Sequence, residues 1–339
     1  MEADFDPARL QEFLDARFGR APVTLQRISG GQSNPTYFVL HGTARMVLRK
    51  QPAGPIQRGA HAVDREYRVL SALHPAGLPV PRPILYHADT ELLGTPFYLM
   101  ERVDGRLFTD CALPELPMAD RRAIWLGLAD ALAELHSVRP DAVGLADFGR
   151  PGNYFERQLA RWTGQLRAST TGPWPDLLHL AEVLPGLLPP DDGAVSLAHG
   201  DFRLGNVLFD PAEPKVAAIL DWELATLGHP LADLGFCVMP WNTAPSEYGG
   251  ILGLDHAALG LPSKVEFVDR YREMRPGCAP LLPFHEAFAL FRFAVIFVGI
   301  SDRAEQGNAA GANAHAIAPL AHRFTRRSLD ILDSAQNSA

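Results

Sequence analysis

The sequence predicts an α+β protein of two lobes, a small β-rich N-terminal lobe followed by a larger, mainly helical C-terminal lobe. Segments typical of strands are concentrated near the N-terminus, and the later segments have the spacing of amphipathic helices. With 339 residues, of which 47% are hydrophobic, the chain is long enough to bury a core in each lobe. We place the boundary at the turn that ends GTPFYLMERVDG, which gives residues 1–103 and 104–339.

The N-terminal lobe should begin with a helix. Asp6 occupies an N-cap position and Pro7 the first helical position in FDPARLQEFLDARFG. QRISGGQSNPTYFVLHG predicts a strand, a glycine-rich turn and a second strand, and ARMVLRKQP a third strand that Pro52 ends. AVDREYRVLSALHP predicts a helix that Pro75 ends, and GTPFYLMERVDG an extended apolar segment.

The C-terminal lobe should be built around long helices. ADRRAIWLGLADALAELHSV places Ile124, Leu128, Leu132 and Leu135 on one helical face, and NYFERQLARWTGQLRAS predicts a second helix. LAHGDFRLGNVLF and VAAILDWE predict a short hairpin, and the chain after it is mostly helical in pattern.

Charge and cysteine content exclude several classes of function. The formal net charge is −8, no run of Lys or Arg occurs, and nucleic acid is therefore not an expected partner. Three widely spaced cysteines without a CxxC pattern indicate a reducing compartment. The acidic N-terminus lacks an apolar signal core, and the apolar run FAVIFVGI is shorter than the ~20 residues that span a bilayer. We expect a cytoplasmic protein with no membrane partner.

One constellation of polar residues has the spacing that phosphoryl transfer requires. HGDFRLGN contains Asp201, Arg203 and Asn206, and ILDWE adds Asp221. In-line transfer needs a carboxylate beside the acceptor hydroxyl, ligands for magnesium and cations for the remaining charge. Asp201 would accept or orient the hydroxyl proton, Asn206 and Asp221 would hold magnesium, and Arg203 would meet the phosphoryl group.

Each of these residues alone also has a structural interpretation. Asp201 and Asn206 adjoin glycines, as turn residues do, and Asp221 could simply end a strand. The occurrence of all three in this order, between apolar strands and after a candidate nucleotide lobe, favours catalysis.

The N-terminal lobe offers weaker candidates for nucleotide binding. SGGQSN could place the backbone N–H groups of Gly30, Gly31 and Ser33 over phosphates, although Gly-Gly hairpin turns are common. A cation from MVLRK could pair with the phosphates and with Glu66. Glu66 could equally be a charged side chain on the solvent-exposed face of a helix. Alternation along the strand allows only one of Arg49 and Lys50 to face the cleft; we favour Arg49, and Lys50 stays open.

Three further residues could support this site. We call the segment HGDFRLGN the catalytic loop. We expect His199 and Asp233 to hold this loop in shape, with Asp233 accepting hydrogen bonds from the backbone N–H groups of the loop. Asp233 could also be a helix N-cap. Glu223 lies two residues beyond Asp221 and could assist the metal or the acceptor.

The chain resembles the aminoglycoside phosphotransferase and choline kinase-like superfamily. RISGGQSNPTYFV, VLRKQPAG, NYFERQLARW, HGDFRLGNVLF and ILDWELATLGHPLADLGF carry the resemblance, which is strongest to the kinase domains joined to some acyl-CoA dehydrogenases. It implies a protein-kinase-like fold with ATP between the lobes and adenine near the backbone of Glu101 to Val103. It also implies Asp201 as base, Asn206 and Asp221 as magnesium ligands, and Arg49 paired with Glu66. His229 departs from the pattern, which has Asp at that position.

The resulting hypothesis is an ATP- and magnesium-dependent O-phosphotransferase that acts on a small-molecule hydroxyl. The resemblance favours a hydroxyacyl-CoA, such as a 4-hydroxyacyl-CoA, and a functional link to an acyl-CoA dehydrogenase. Two alternatives stay open: an aminoglycoside, other antibiotic or amino-alcohol kinase, and a non-catalytic nucleotide-binding module. A protein kinase is disfavoured because no activation loop with an APE-type end follows Asp221.

Overall fold

The fold is α+β, as the sequence predicts. The computed structural model describes residues 3–28, 34–54, 61–150, 152–305 and 314–337. A five-stranded antiparallel sheet lies in the N-terminal part, in the order β1-β2-β3-β5-β4. Its strands are β1 (Val23–Arg27), β2 (Thr36–His41), β3 (Ala44–Lys50), β4 (Pro83–His87) and β5 (Phe97–Glu101).

Two helices accompany this sheet, α1 (Pro7–Phe18) and α2 (Val63–Leu73). The Asp6 side chain caps α1 by accepting from the Ala8 N–H at 2.9 Å, so the predicted helix start is confirmed. The edge strand β4 was not predicted. It is short and half-buried throughout, and Pro83 at its start is tolerated because it lies at the sheet edge.

Alternation along β3 divides the sheet between two cores. Leu48 packs with Leu10 and Leu14 of α1 in a small core, whereas Val47 belongs to the large core that continues into the helical part. Arg49 and Lys50 therefore leave β3 on opposite faces of the sheet.

The remaining chain is mainly helical. Its helices are α3 (Met118–Ser137), α4 (Tyr154–Arg167), α5 (Pro175–Val183), α6 (Pro230–Cys237), α7 (Met239–Asn242), α8 (Lys264–Met274), α9 (Pro283–Glu305) and α10 (Ala314–Gln336). Two small sheets complete it, β6-β8-β9 and β10-β7. Their strands are β6 (Arg106–Leu107), β7 (Ser196–Ala198), β8 (Val207–Phe209), β9 (Val216–Ile219) and β10 (Thr226–Gly228).

Helix α9 is longer than the apolar run in the sequence suggested. Within the part of the chain that the structure describes, it is the one helix long and apolar enough to cross a membrane. However, 89% of its most apolar stretch is buried inside the protein, where it packs against α4, α6 and α10. Its composition is therefore that of a central core helix.

Candidate active site

The predicted catalytic residues lie in one loop between β7 and β8. Asn206 donates through Nδ2 to the Asp201 carboxylate at 2.6 Å and to the Asp201 carbonyl at 2.9 Å. Arg203 Nε lies 3.4 Å from Asp201 Oδ1. The five-residue spacing of Asp201 and Asn206 therefore corresponds to direct contact, which a short helical turn at Leu204–Asn206 makes possible.

The loop that carries Asp221 is bonded to the catalytic loop. The Leu220 N–H donates to the Asn206 carbonyl at 2.8 Å, and His199 Nε2 lies 2.8 Å from the Leu220 carbonyl. His199 Nδ1 accepts the Asp201 N–H at 3.2 Å, which places the ring proton on Nε2. His199 thus joins the two loops, while Asp221 has a left-handed backbone with φ of 65°.

Asp233 lies behind the catalytic loop and is 1% exposed. It accepts the backbone N–H of His199 at 2.6 Å and of Gly200 at 2.9 Å. His229, not Asp233, caps α6, because its Nδ1 accepts the Leu231 N–H. Burial raises the pKa of Asp233, but hydrogen bonds and the nearby imidazoles outweigh it, and the pKa lies below its usual range.

His136 is a supporting residue that sequence reasoning missed. It is buried in α3, with Nε2 3.2 Å from Asp233 Oδ2 and Nδ1 2.8 Å from the Tyr271 hydroxyl. Burial lowers its pKa, so the ring is neutral and Nε2 donates to Asp233. The available signal was a histidine within the apolar pattern of a core helix.

Arg49 bridges the sheet and the Asp221 loop. Its Nε lies 2.9 Å from Glu66 Oε2 and its Nη2 2.5 Å from Asp221 Oδ1, with Glu223 Oε2 at 3.8 Å. Burial lowers the pKa of Arg49, but the charges of Glu66, Asp221 and Glu223 raise it above its usual value, so the guanidinium is charged. The expected pairing of Arg49 with Glu66 is present.

Glu66 is buried among polar partners and is not a solvated helical charge. Asn34 Nδ2 donates to Oε1 at 2.6 Å, and the Tyr98 hydroxyl lies 3.0 Å from Oε2. Burial raises the pKa of Glu66, while Arg49 opposes that effect. These contacts hold Glu66 in place to orient Arg49.

Lys50 lies away from this site. It is 1% exposed on the opposite face of β3, where Nζ is 3.1 Å from Asp4 Oδ2 and 5.5 Å from the Phe5 ring centroid. Of the two adjacent cations, Arg49 therefore faces the cleft and Lys50 does not. Gly30, Gly31 and Ser33 lie outside the described residues.

A cleft of about 700 Å³ lies between the five-stranded sheet and the Asn206 and Asp221 loops. Val47, Met100 and Ile219 form an apolar part of its wall, and Arg49 and Asp221 a charged part.

The chain segment that links the two lobes contains Glu101, Arg102 and Val103. Two of its three backbone N–H groups donate hydrogen bonds to backbone carbonyls of the protein. Glu101 donates to the Arg82 carbonyl and Arg102 to the Arg45 carbonyl. Over the described residues the Val103 N–H has no hydrogen-bond partner, and Val103 is among the residues that line the cleft. An apolar slot beside a free backbone donor suits a planar base, and the position of adenine near Glu101 to Val103 stays a prediction.

The donor set also suits magnesium bound together with phosphates. Within the described ranges no three His, Cys, Asp or Glu side chains cluster as a metal site. Magnesium usually takes one or two carboxylates plus phosphate oxygens, so it needs no such cluster. One carboxylate, Asp221, and one amide, Asn206, line the same cleft and meet that requirement.

Comparison with known proteins agrees with this architecture. The chain is similar to the solved structure of a putative aminoglycoside phosphotransferase from Ralstonia eutropha JMP134, with a TM-score of 0.86 and 37% identity, over 97% of this chain and 99% of that one. A spectinomycin phosphotransferase, solved with ADP and spectinomycin, shares the fold at a TM-score of 0.60 and 15% identity, over 96% of this chain and 99% of that one. The fold is therefore that of the kinase-like phosphotransferases.

The chain belongs to the phosphotransferase enzyme family, which it matches over residues 24–272. It is 40% identical to acyl-CoA dehydrogenase family member 11 of Gallus gallus over 338 residues, which cover 96% of this chain and 43% of that protein. It is 39% identical to the probable acyl-CoA dehydrogenase IBR3 of Arabidopsis thaliana, covering 89% of this chain and 38% of that protein. The chain thus spans about two fifths of these relatives, and the predicted resemblance is confirmed.

Proposed function

We propose that the protein transfers the γ-phosphoryl group of ATP, with magnesium, to the hydroxyl of a small molecule. The observation that carries this proposal is the convergence of Asp201, Asn206 and Asp221 with the Arg49–Glu66 pair at one cleft. In-line phosphoryl transfer needs these groups: a carboxylate next to an amide, a second carboxylate, and a cation held in a fixed position.

Each residue has a role in this proposal. Asp201 orients the acceptor hydroxyl and accepts its proton at a carboxylate oxygen, and Arg203, beside it, meets the transferred group. Arg49, held by Glu66, binds the nucleotide phosphates. Asn206 and Asp221 would hold magnesium, which when bound neutralises charge on the β- and γ-phosphates.

Other residues shape the site without touching the reacting atoms. His199 and Asp233 hold the catalytic loop, and Glu223 assists near Arg49. We retain the lobe boundary at residues 103 and 104, because β5 ends at Glu101 and Arg106 already pairs with β8 of the C-terminal part. A cytoplasmic location also stays a proposal.

The acceptor we favour is a hydroxyacyl-CoA, such as a 4-hydroxyacyl-CoA. Support comes from relatives of 38–40% identity that are named acyl-CoA dehydrogenases and in which the matched segment is only part of the protein. A kinase and a dehydrogenase in one chain would act on the same acyl-CoA in successive steps.

An aminoglycoside, or another antibiotic or amino alcohol, is the competing acceptor. It is favoured by the 37% identity to a protein described as a putative aminoglycoside phosphotransferase. A polycationic acceptor would be drawn to acidic walls, and residues 106–239 carry 18 acidic and 10 basic side chains.

ADP release with magnesium-ATP tests the proposal on three acceptor sets in parallel: 4-hydroxyacyl-CoAs, aminoglycosides, and choline with related amino alcohols. We expect turnover with the first set, and inhibition of that turnover by millimolar free coenzyme A. Turnover only with aminoglycosides, or only with choline and related amino alcohols, would mean that the acceptor belongs to that class and is not a hydroxyacyl-CoA. Nucleotide binding without turnover on any set would favour a non-catalytic nucleotide-binding module.

A further inference from the structure

Two guanidinium groups lie over one tryptophan ring in the helical part of the protein. The Cζ of Arg161 is 5.0 Å from the Trp162 ring centroid, and the Cζ of Arg292 is 5.7 Å from it. Trp162 is a buried residue of α4, and its ring is approached by one cation from α4 and one from α9. Arg292 is 6% exposed, whereas Arg161 is exposed to solvent.

One of these two cations, Arg292, contacts the catalytic loop directly. Arg292 Nη2 donates to the carbonyl of Gly200, the residue before Asp201. Arg292 also lies 5.7 Å from the Phe236 ring centroid. A group bound at Arg292 would therefore lie close to the catalytic loop, on the side of α4 and α9.

Within the part of the chain that the structure describes, neither cation has a carboxylate partner. Over the described residues, no Asp or Glu lies within ion-pair distance of Arg161 or Arg292, unlike Arg122, Arg270 and Arg327. A buried cation without a counter-charge is costly, and two neighbouring cations repel each other. Partial burial of the Arg161 guanidinium, although the side chain reaches solvent, and then the charge of Arg292 lower the pKa of Arg161. An anion placed between them would relieve both effects.

We infer that Arg161 and Arg292 form a subsite that binds a phosphate group carried by the acceptor, as a coenzyme A thioester would supply. This inference rests on the proposed function and deepens it by assigning acceptor recognition to α4 and α9. Guanidinium groups present paired N–H donors that match phosphate oxygens, and stacking on an aromatic ring holds them flat. The subsite is separate from the ATP cleft, whose lining includes Arg49 but neither of these arginines.

Arg161 is the residue to vary, because among the described residues it forms no hydrogen bond or ion pair with the catalytic loop. Arg161→Gln removes the charge, and Arg161→Lys keeps it without the planar fork. Arg167→Gln is the matched control, since it removes an exposed arginine from another face of the same helix.

The kinetic test compares a 4-hydroxyacyl-CoA with the corresponding 4-hydroxyacyl-pantetheine, which lacks the phosphate groups. We expect Arg161→Gln to reduce the ratio of kcat/KM for the two acceptors about tenfold, the effect of one charge-assisted hydrogen bond. Arg161→Lys should recover part of the ratio, and Arg167→Gln should match the wild type. An unchanged ratio in Arg161→Gln, with the wild type turning over both thioesters, would overturn the subsite and leave the proposed function intact.

Calorimetric binding of free coenzyme A separates the subsite from the reaction. With a nonhydrolysable ATP analogue and magnesium filling the ATP cleft, coenzyme A should bind the wild type and bind Arg161→Gln about tenfold more weakly. That result would support the subsite even if neither thioester were phosphorylated, an outcome that would contradict the proposed acceptor alone. Equal binding to both proteins, or no binding to the wild type, would overturn the subsite.

Discussion

His136 Nε2 lies 3.2 Å from Asp233 Oδ2, and both side chains are shielded from solvent. Asp233 in turn holds two backbone N–H groups of the catalytic loop. The shape of the loop around Asp201 therefore depends on a histidine that is remote from it in sequence and makes no contact with the cleft.

Replacing His136 by leucine should weaken both folding and catalysis. The buried carboxylate of Asp233 would lose one hydrogen bond, which destabilises the protein by about 2 kcal/mol. We expect kcat to fall while the dissociation constant for ATP stays near the wild-type value. Tyr271→Phe, which removes only the hydroxyl that bonds His136 Nδ1, should have a smaller effect. Urea unfolding and steady-state kinetics measure both; equal kcat in His136→Leu and wild type would refute the positioning role.

Arg49 and Lys50 should behave differently although they are adjacent. Arg49→Ala removes the cation that Glu66 and Asp221 share, and we expect about a 100-fold loss in kcat/KM for ATP. Lys50→Met removes a buried ion pair with Asp4 and should cost about 1 kcal/mol of stability with little effect on catalysis. Kinetics and thermal unfolding of both variants test this difference. The reverse pattern would show that the wrong residue faces the nucleotide.

Asp221→Asn should change the magnesium requirement. Loss of a carboxylate ligand should raise the magnesium concentration needed for half-maximal rate and lower kcat about 100-fold. Asp210→Asn is a suitable control, because Asp210 follows β8 as Asp221 follows β9 but accepts only turn N–H groups. The measurement is the rate of each variant as a function of magnesium concentration. If both resemble the wild type, Asp221 is a structural residue.

His285 should make the protein less stable in mild acid. Burial, and then the charge of His229, lower its pKa from 6.5 to about 4. Between these two values the unfolded chain binds a proton that the folded protein does not, so the unfolding free energy falls as the pH falls from 6.5 towards 4. The slope from one such group is at most about 1.4 kcal/mol per pH unit. Urea unfolding at several pH values should show a shallower decline in His285→Gln; the same decline in both proteins would contradict this assignment.

Much of the fold could be predicted because local signals agreed with the tertiary structure. Asp6 and Pro7 define the start of α1, and alternation along β3 placed Arg49 and Lys50 on opposite faces. Strand β4 and the pairing of β10 with β7 were not predicted, because short strands acquire their conformation from partners distant in the chain. The extent of α9 was missed because its charged residue Arg292 is buried, which an apolar run does not reveal.

The candidate site shows the same division. The spacing of Asp201, Asn206 and Asp221 is a local pattern, and the structure brings these residues together. Arg292 contacts the catalytic loop directly and His136 acts on it through Asp233, and both depend on the packing of α3 and α9. No spacing rule connects them to the loop, and the position of His136 in the apolar pattern of α3 indicates burial but not a role at the site.

The most direct test of the central claim is the mass of the acceptor after incubation with magnesium-ATP, for the wild type and for Asp201→Asn. We predict that the wild type adds one phosphoryl group to a 4-hydroxyacyl-CoA and releases an equal amount of ADP. Asp201→Asn should bind ATP with similar affinity and form product slower by at least about 100-fold. Equal product formation by the two proteins would contradict the role of Asp201, and the absence of any phosphorylated acceptor with the wild type would contradict the proposed reaction on this substrate.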